Sequence, residues 1–148
     1  MNKKLTVGLL GRLPLCLSNF VLAAVNLNGT WKGSVKKLTD ATSASCAVSV
    51  PVTLTITQCA ASNLFKGTLK VGTVSIKVIG KLDATSNVQA RGSESSQTRA
   101  SKSASLFGKY TATPATIQVN EFDFIAITDP LSALKNINEM YDSFTLKK

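Results

Sequence analysis

From Leu27 onward, apolar and polar residues alternate along the chain with a period of two. Leu27, Gly29, Trp31, Gly33 and Val35 share one parity, and Asn28, Thr30, Lys32, Ser34 and Lys36 share the other. Val48, Val50, Val52, Leu54 and Ile56 alternate in the same way with Ser49, Pro51, Thr53, Thr55 and Thr57. Successive side chains of a strand point to opposite faces, so the pattern predicts strands with one buried and one solvated face. Segments 64–71 and 74–82 predict a hairpin across Gly72-Thr73, since Gly at the first of two turn positions suits a type II′ turn. In that register Val71 faces Val74, Leu69 faces Ile76, Gly67 faces Val78 and Phe65 faces Gly80. A slip of one residue would bury Lys70, which selects the register.

Residues 90–105 are rich in Ser and charge and resemble a linker in composition. Their parity predicts strand instead, because Ala100, Ala104, Leu106, Gly108 and Tyr110 share one face. Residues 87–92 and 99–111 therefore read as a second hairpin with a polar tip at 93–98. Another strand follows over 116–127. Asp129-Pro130 then offers an N-cap and a proline at the first helical position, with Leu131, Leu134 and Ile137 spaced by three. That predicts a short helix over 131–139, before a last strand over 143–147. The expected fold is all-β: an antiparallel up-and-down β-barrel of about eight strands with one short C-terminal helix. Closure and meander order favour the barrel over the alternative, a β-sandwich.

The first 23 residues break the pattern. Lys3 and Lys4 precede a mostly apolar run at 13–22, which ends in Val21-Leu22-Ala23. A basic start, a short apolar stretch and small residues before a cut site describe a secretory signal peptide. Ten residues of helix rise ~15 Å, half the thickness of a bilayer core, so a membrane anchor fits poorly. The opening looks bacterial. The expected organisation is a signal peptide over 1–23 and a single barrel domain over 24–148, exported to the periplasm or the exterior. The chain of 148 residues carries 17 Lys+Arg against 8 Asp+Glu, a net charge of +9, and cleavage lowers that by three.

Composition removes whole classes of chemistry. With no His, the chain has no Ser-His-Asp or Cys-His pair and no imidazole metal ligand. Of three Cys, only Cys46 and Cys59 follow the cleavage point. No metal site and no cofactor is expected. An exported chain with two thiols usually pairs them. A straight strand from Cys46 to Cys59 would hold the ends ~43 Å apart, whereas a disulfide allows ~4.4–6.8 Å between Cα atoms. The expected Cys46–Cys59 bond therefore requires a chain reversal, which Pro51 would permit.

Three sets of residues are candidates for binding. Trp31, the sole tryptophan, suits the core or a stacking site. Glu121 and Asp123 follow Ile117 and Val119 on one parity, so strict alternation carries both acids inward, where buried carboxylates are often functional. Phe122, Phe124 and Ala126 make the other parity apolar, and a bulge near Asn120 would turn both acids outward. The outward placement is the expected one. Lys32, Lys36, Lys66, Lys70, Lys77 and Lys81 all fall on the solvent parity of their strands. They form a basic outer face that suits solubility or the attraction of anionic envelope surfaces.

Asn26-Leu27-Asn28-Gly29-Thr30-Trp31 resembles the Gly-x-Trp start of the lipocalin (calycin) barrels. The resemblance implies a barrel closed at one end by Trp31, with a small apolar ligand inside. Thr128-Asp129-Pro130 departs from the family's Thr-Asp-Tyr. No Arg lies near the C-terminus to cover the tryptophan, which leaves Lys147 or Lys148 for that role. Secreted metalloprotease-inhibitor barrels, which also begin with Gly-x-Trp and carry one disulfide, are a second partial resemblance.

The expected function is a non-enzymatic binding module of the bacterial envelope. It takes a small apolar ligand in the barrel or an anionic envelope component on its basic outer face. The alternative is a secreted protein-partner module such as a protease inhibitor. Nucleic acid is disfavoured, because the few aromatics are not interleaved with the basic residues.

Overall fold

The structure is a computed structural model that describes residues 25–38, 47–59, 62–95, 101–127 and 140–148. The strands are β1 (Gly29–Leu38), β2 (Val48–Gln58), β3 (Leu64–Val71), β4 (Val74–Leu82), β5 (Asn87–Ser95), β6 (Ser101–Ala112), β7 (Ala115–Ile127), β8 (Met140–Tyr141) and β9 (Phe144–Lys147). From β1 to β7 each strand pairs antiparallel with the next. The short β8 and β9 lie end to end along β1, interrupted at Asp142-Ser143, and act as one eighth stave. Because β9 also pairs with β7, the sheet closes on itself. The protein is an eight-staved antiparallel barrel and not a sandwich.

The hairpin of β3 and β4 has the predicted register, with Phe65 opposite Gly80, Leu69 opposite Ile76 and Val71 opposite Val74. Lys70 is exposed, and Gly72 takes φ +59° at the turn. The second hairpin also forms in place of a linker. It is longer than expected: Ser95 still pairs with Ser101, so residues 93–95 belong to the strand and not to the tip. The helix expected over 131–139 and the signal peptide over 1–23 lie outside the described residues. Among the described residues there is no helix.

The expected chain reversal between the cysteines does not occur. β2 runs unbroken through Pro51, which sits opposite Ser34 of β1. N–H and C=O of one strand residue point to the same side. The Pro51 carbonyl accepts the Gly72 N–H at 2.9 Å, so the missing proline N–H faces the β3–β4 turn and costs the β1 ladder nothing. Ten strand steps from Val48 to Gln58 span ~33 Å. Cys59 is a free, exposed thiol just beyond the end of β2; Cys46 lies outside the described residues. Strand periodicity prevails over the even count of thiols, and the intramolecular bond is corrected to a free Cys59.

The core lies inside the barrel and is wholly apolar. Among the described residues 22 hydrophobic side chains are buried, and no polar or charged one is. An eight-stranded barrel has an interior just wide enough for side chains to fill. Here Phe122 takes the centre of one aromatic group, with edge contacts to Tyr141 at 5.1 Å and Phe144 at 5.2 Å. The Tyr141 hydroxyl donates to the Phe124 carbonyl at 3.0 Å, which satisfies its polar tip.

Candidate functional site

Trp31 plugs the opposite end of the interior. Its ring is fully buried, its Nε1–H donates to the Leu27 carbonyl at 2.9 Å, and Tyr110 meets it edge-on with ring centroids 6.1 Å apart. Lys148 Nζ lies 5.8 Å from the ring centroid, within range of a cation–π contact. Of the two lysines expected to cover the ring, Lys148 does so. Gly29 has φ +126°, and a Cβ there would come 2.9 Å from Lys148 Cε. The glycine of the Gly-x-Trp segment thus lets the chain turn into β1 and leaves room for the covering lysine.

Glu121 and Asp123 both point outward. Phe107 pairs with Glu121 but Gly108 pairs with Val119, which leaves Asn120 as the extra residue of a β-bulge. The bulge reverses the parity of β7, so Ile117, Val119, Phe122 and Phe124 are all buried while both acids are solvated. Asp123 accepts from the Ser105 hydroxyl at 3.3 Å. Two carboxylates on one strand face do not oppose each other across a cleft, as acid–base work on a substrate between them would need.

The six lysines divide by strand neighbourhood. Lys66, Lys77 and Lys81 gather on the outer face of β3 and β4, joined by Arg91 of β5. Lys32 and Lys36 border a separate depression of about 620 Å³ with Lys147 and Asp142. Lys70 lies between the groups, opposite Thr53, which in turn faces Lys32.

Around the first group the outer surface is concave. One groove of about 760 Å³ crosses β2 to β5, and another of about 740 Å³ crosses β3 to β7. Lys66, Ile79 and Arg91 line both, so the two are continuous. Gly67 and Gly80 allow the close approach of strands there: a Cβ at Gly67 would overlap the Thr55 carbonyl, and one at Gly80 the Gln89 carbonyl and the Phe65 ring. Glycines at such bends mark tight corners in a barrel wall. Among the described residues the groove lining holds four cations and one acid, Glu121, and beside it the Glu94 carboxylate accepts the Lys77 backbone N–H at 2.7 Å. Neighbours across paired strands lie ~5 Å apart and alternate residues of one strand ~7 Å, so each of the four cations branches from the backbone within ~7 Å of Ile79, inside a Debye length of ~10 Å, while Lys77 and Lys81 stand ~13 Å from each other.

Arg91, Ile79, Leu64 and Phe107 belong to this surface and were not singled out from the sequence. A usable signal exists for Ile79, which falls on the polar parity of β4 beside Ser75, Lys77 and Lys81. Arg91 was legible as outward from Val88 and Ala90. Its place beside Ile79 depends on the β4–β5 register.

The turn between β4 and β5 is built on one carboxylate. Asp83 accepts from the backbone N–H of Thr85 at 2.8 Å and of Asn87 at 2.9 Å, and from the side chains of both. The Asn87 backbone bond, then the side-chain bonds of Thr85 and Asn87, lower its pKa from 3.8 to about 2. This fixes the entry of β5 and so the placement of Arg91.

Fold and surface together define a closed antiparallel barrel with an apolar core and a basic groove on its outer wall. The chain matches no protein-family model, no curated protein and no solved structure.

Proposed function

We propose that this protein is an exported, non-enzymatic binding module of the bacterial envelope, lipocalin-like in architecture, that holds an anionic component on its outer face. The observation that carries the reading is the convergence of Lys66, Lys77, Lys81 and Arg91 on one concave surface, against which the described lining sets one acid, Glu121. Like charges held this close repel one another, and an anion in the groove relieves that repulsion. The interior favours this outer site over a ligand inside the barrel, because large apolar side chains such as Trp31, Leu54, Phe65 and Phe122 occupy it.

The test is equilibrium binding to polygalacturonate, a soluble polyanion, followed by amide NMR shifts. Shifts are expected at β3, β4 and β5, and binding should weaken as salt rises, because added ions screen exposed charges. Lys66→Gln with Arg91→Gln should weaken binding, while the same change at Lys109, outside the groove, should leave it unaltered. Binding that ignores both salt and the Lys66/Arg91 change would overturn the reading.

A further inference from the structure

The basic groove has an apolar floor. Ile79 is 62% exposed and Leu64 is 56% exposed, and both line the groove across β3 to β7. Half-buried Phe107 extends the floor on β6. Ile79 stands at the centre of the four cations. Lys66 faces it across β3, Arg91 faces it across β5, and Lys77 and Lys81 lie two residues away on its own strand face. Single exposed apolar residues are common on any protein. Two aliphatic ones in one concavity, ringed by cations, present two chemistries at once.

An anion alone uses the ring and leaves the floor wet. A neutral apolar ligand uses the floor and leaves the cations unpaired. We infer that the groove holds a monomeric anionic amphiphile: a single acyl chain on Leu64 and Ile79, ending in a phosphate or carboxylate among Lys66, Lys77, Lys81 and Arg91. Charge complementarity selects the head, and the aliphatic floor selects the tail. The concavity, about 740 Å³ on the β3 to β7 side, is of small-molecule size. The inference rests on the anion-binding reading of the same face and specifies the chemical class that face takes.

Calorimetric titration of the purified protein with dodecyl phosphate below its micellar concentration tests it, beside ethyl phosphate, dodecyl maltoside and polygalacturonate. Dodecyl phosphate should bind about tenfold or more tightly than ethyl phosphate, and more tightly than the neutral maltoside. Ile79→Ser keeps every cation and changes an exposed position, so circular dichroism should show an unaltered fold. That variant should lose about fivefold for dodecyl phosphate and nothing for polygalacturonate. Equal binding of the two phosphates, indifference to Ile79→Ser, equal binding of the maltoside, or binding to phosphatidylglycerol vesicles without binding to dodecyl phosphate would each overturn the inference. In those cases polygalacturonate binding that remains sensitive to Lys66→Gln and Arg91→Gln leaves the broader reading standing. No binding of any anion removes both.

Discussion

Deleting Asn120 should cost this barrel most of its stability, although the residue is exposed and buries nothing itself. The bulge it forms sets the parity of everything after it on β7. Without it, strict alternation from Ile117 and Val119 would send Glu121 and Asp123 into the core and Phe122 and Phe124 out. The two phenylalanines are now 7% and 5% exposed. Exposing both forfeits ~3–6 kcal/mol of burial, and Phe122 also loses its edge contacts to Tyr141 and Phe144, at ~0.5–1.5 kcal/mol each. Burying two carboxylates adds several kcal/mol per ion unless they protonate. The sum rivals the ~5–15 kcal/mol of a whole domain, so the inverted strand is not an available state. The expected outcome is that the later half of β7 leaves the barrel, with a loss of at least ~4 kcal/mol or no folded protein. Urea denaturation followed by Trp31 fluorescence measures this, with Asn120→Ala as the control. The control keeps the residue count and should stay within ~0.5 kcal/mol of the parent. A deletion variant within ~1.5 kcal/mol of the parent would show that the bulge does not govern parity.

Asp83→Asn should lower stability at neutral pH and change little near pH 2. The native pKa of about 2 lies below the ordinary 3.8. The carboxylate therefore stabilises the fold above pH ~4 and loses that contribution as pH falls toward ~2; urea midpoints at the two pH values, with parent and variant equal at neutrality, would refute the turn's role. Cys59 should take up iodoacetamide without reductant, since it is a free, exposed thiol at the end of a straight strand. An intact mass with no alkyl group added, and two gained after reduction, would restore the internal bond.

Several elements were legible because one local fact excluded the competing arrangement. The β3–β4 register follows from Lys70, which a one-residue slip would bury. The second hairpin follows from the parity of Ala104, Leu106 and Gly108, despite a composition that suggests a linker. The bulge at Asn120 was visible as a conflict between Ile117–Val119 and Phe122–Phe124, two apolar pairs of opposite parity that only an extra residue reconciles. The cysteines misled because their even number says nothing of the distance between them. That distance was set by β2, whose alternation continued through Pro51.

Alternation by itself determined which side chains face the core, because successive side chains leave a strand on opposite faces whatever lies beside it. It did not determine which strands lie side by side beyond a tight turn. The closure of β1 on β9, the seating of Lys148 over Trp31, and the ring of Lys66, Lys77, Lys81 and Arg91 around Ile79 are decided by register between strands. Register depends on how the whole apolar interior fills as the sheet closes. Inside and outside are local properties of this chain, whereas neighbourhood, and with it the groove, belongs to the folded barrel.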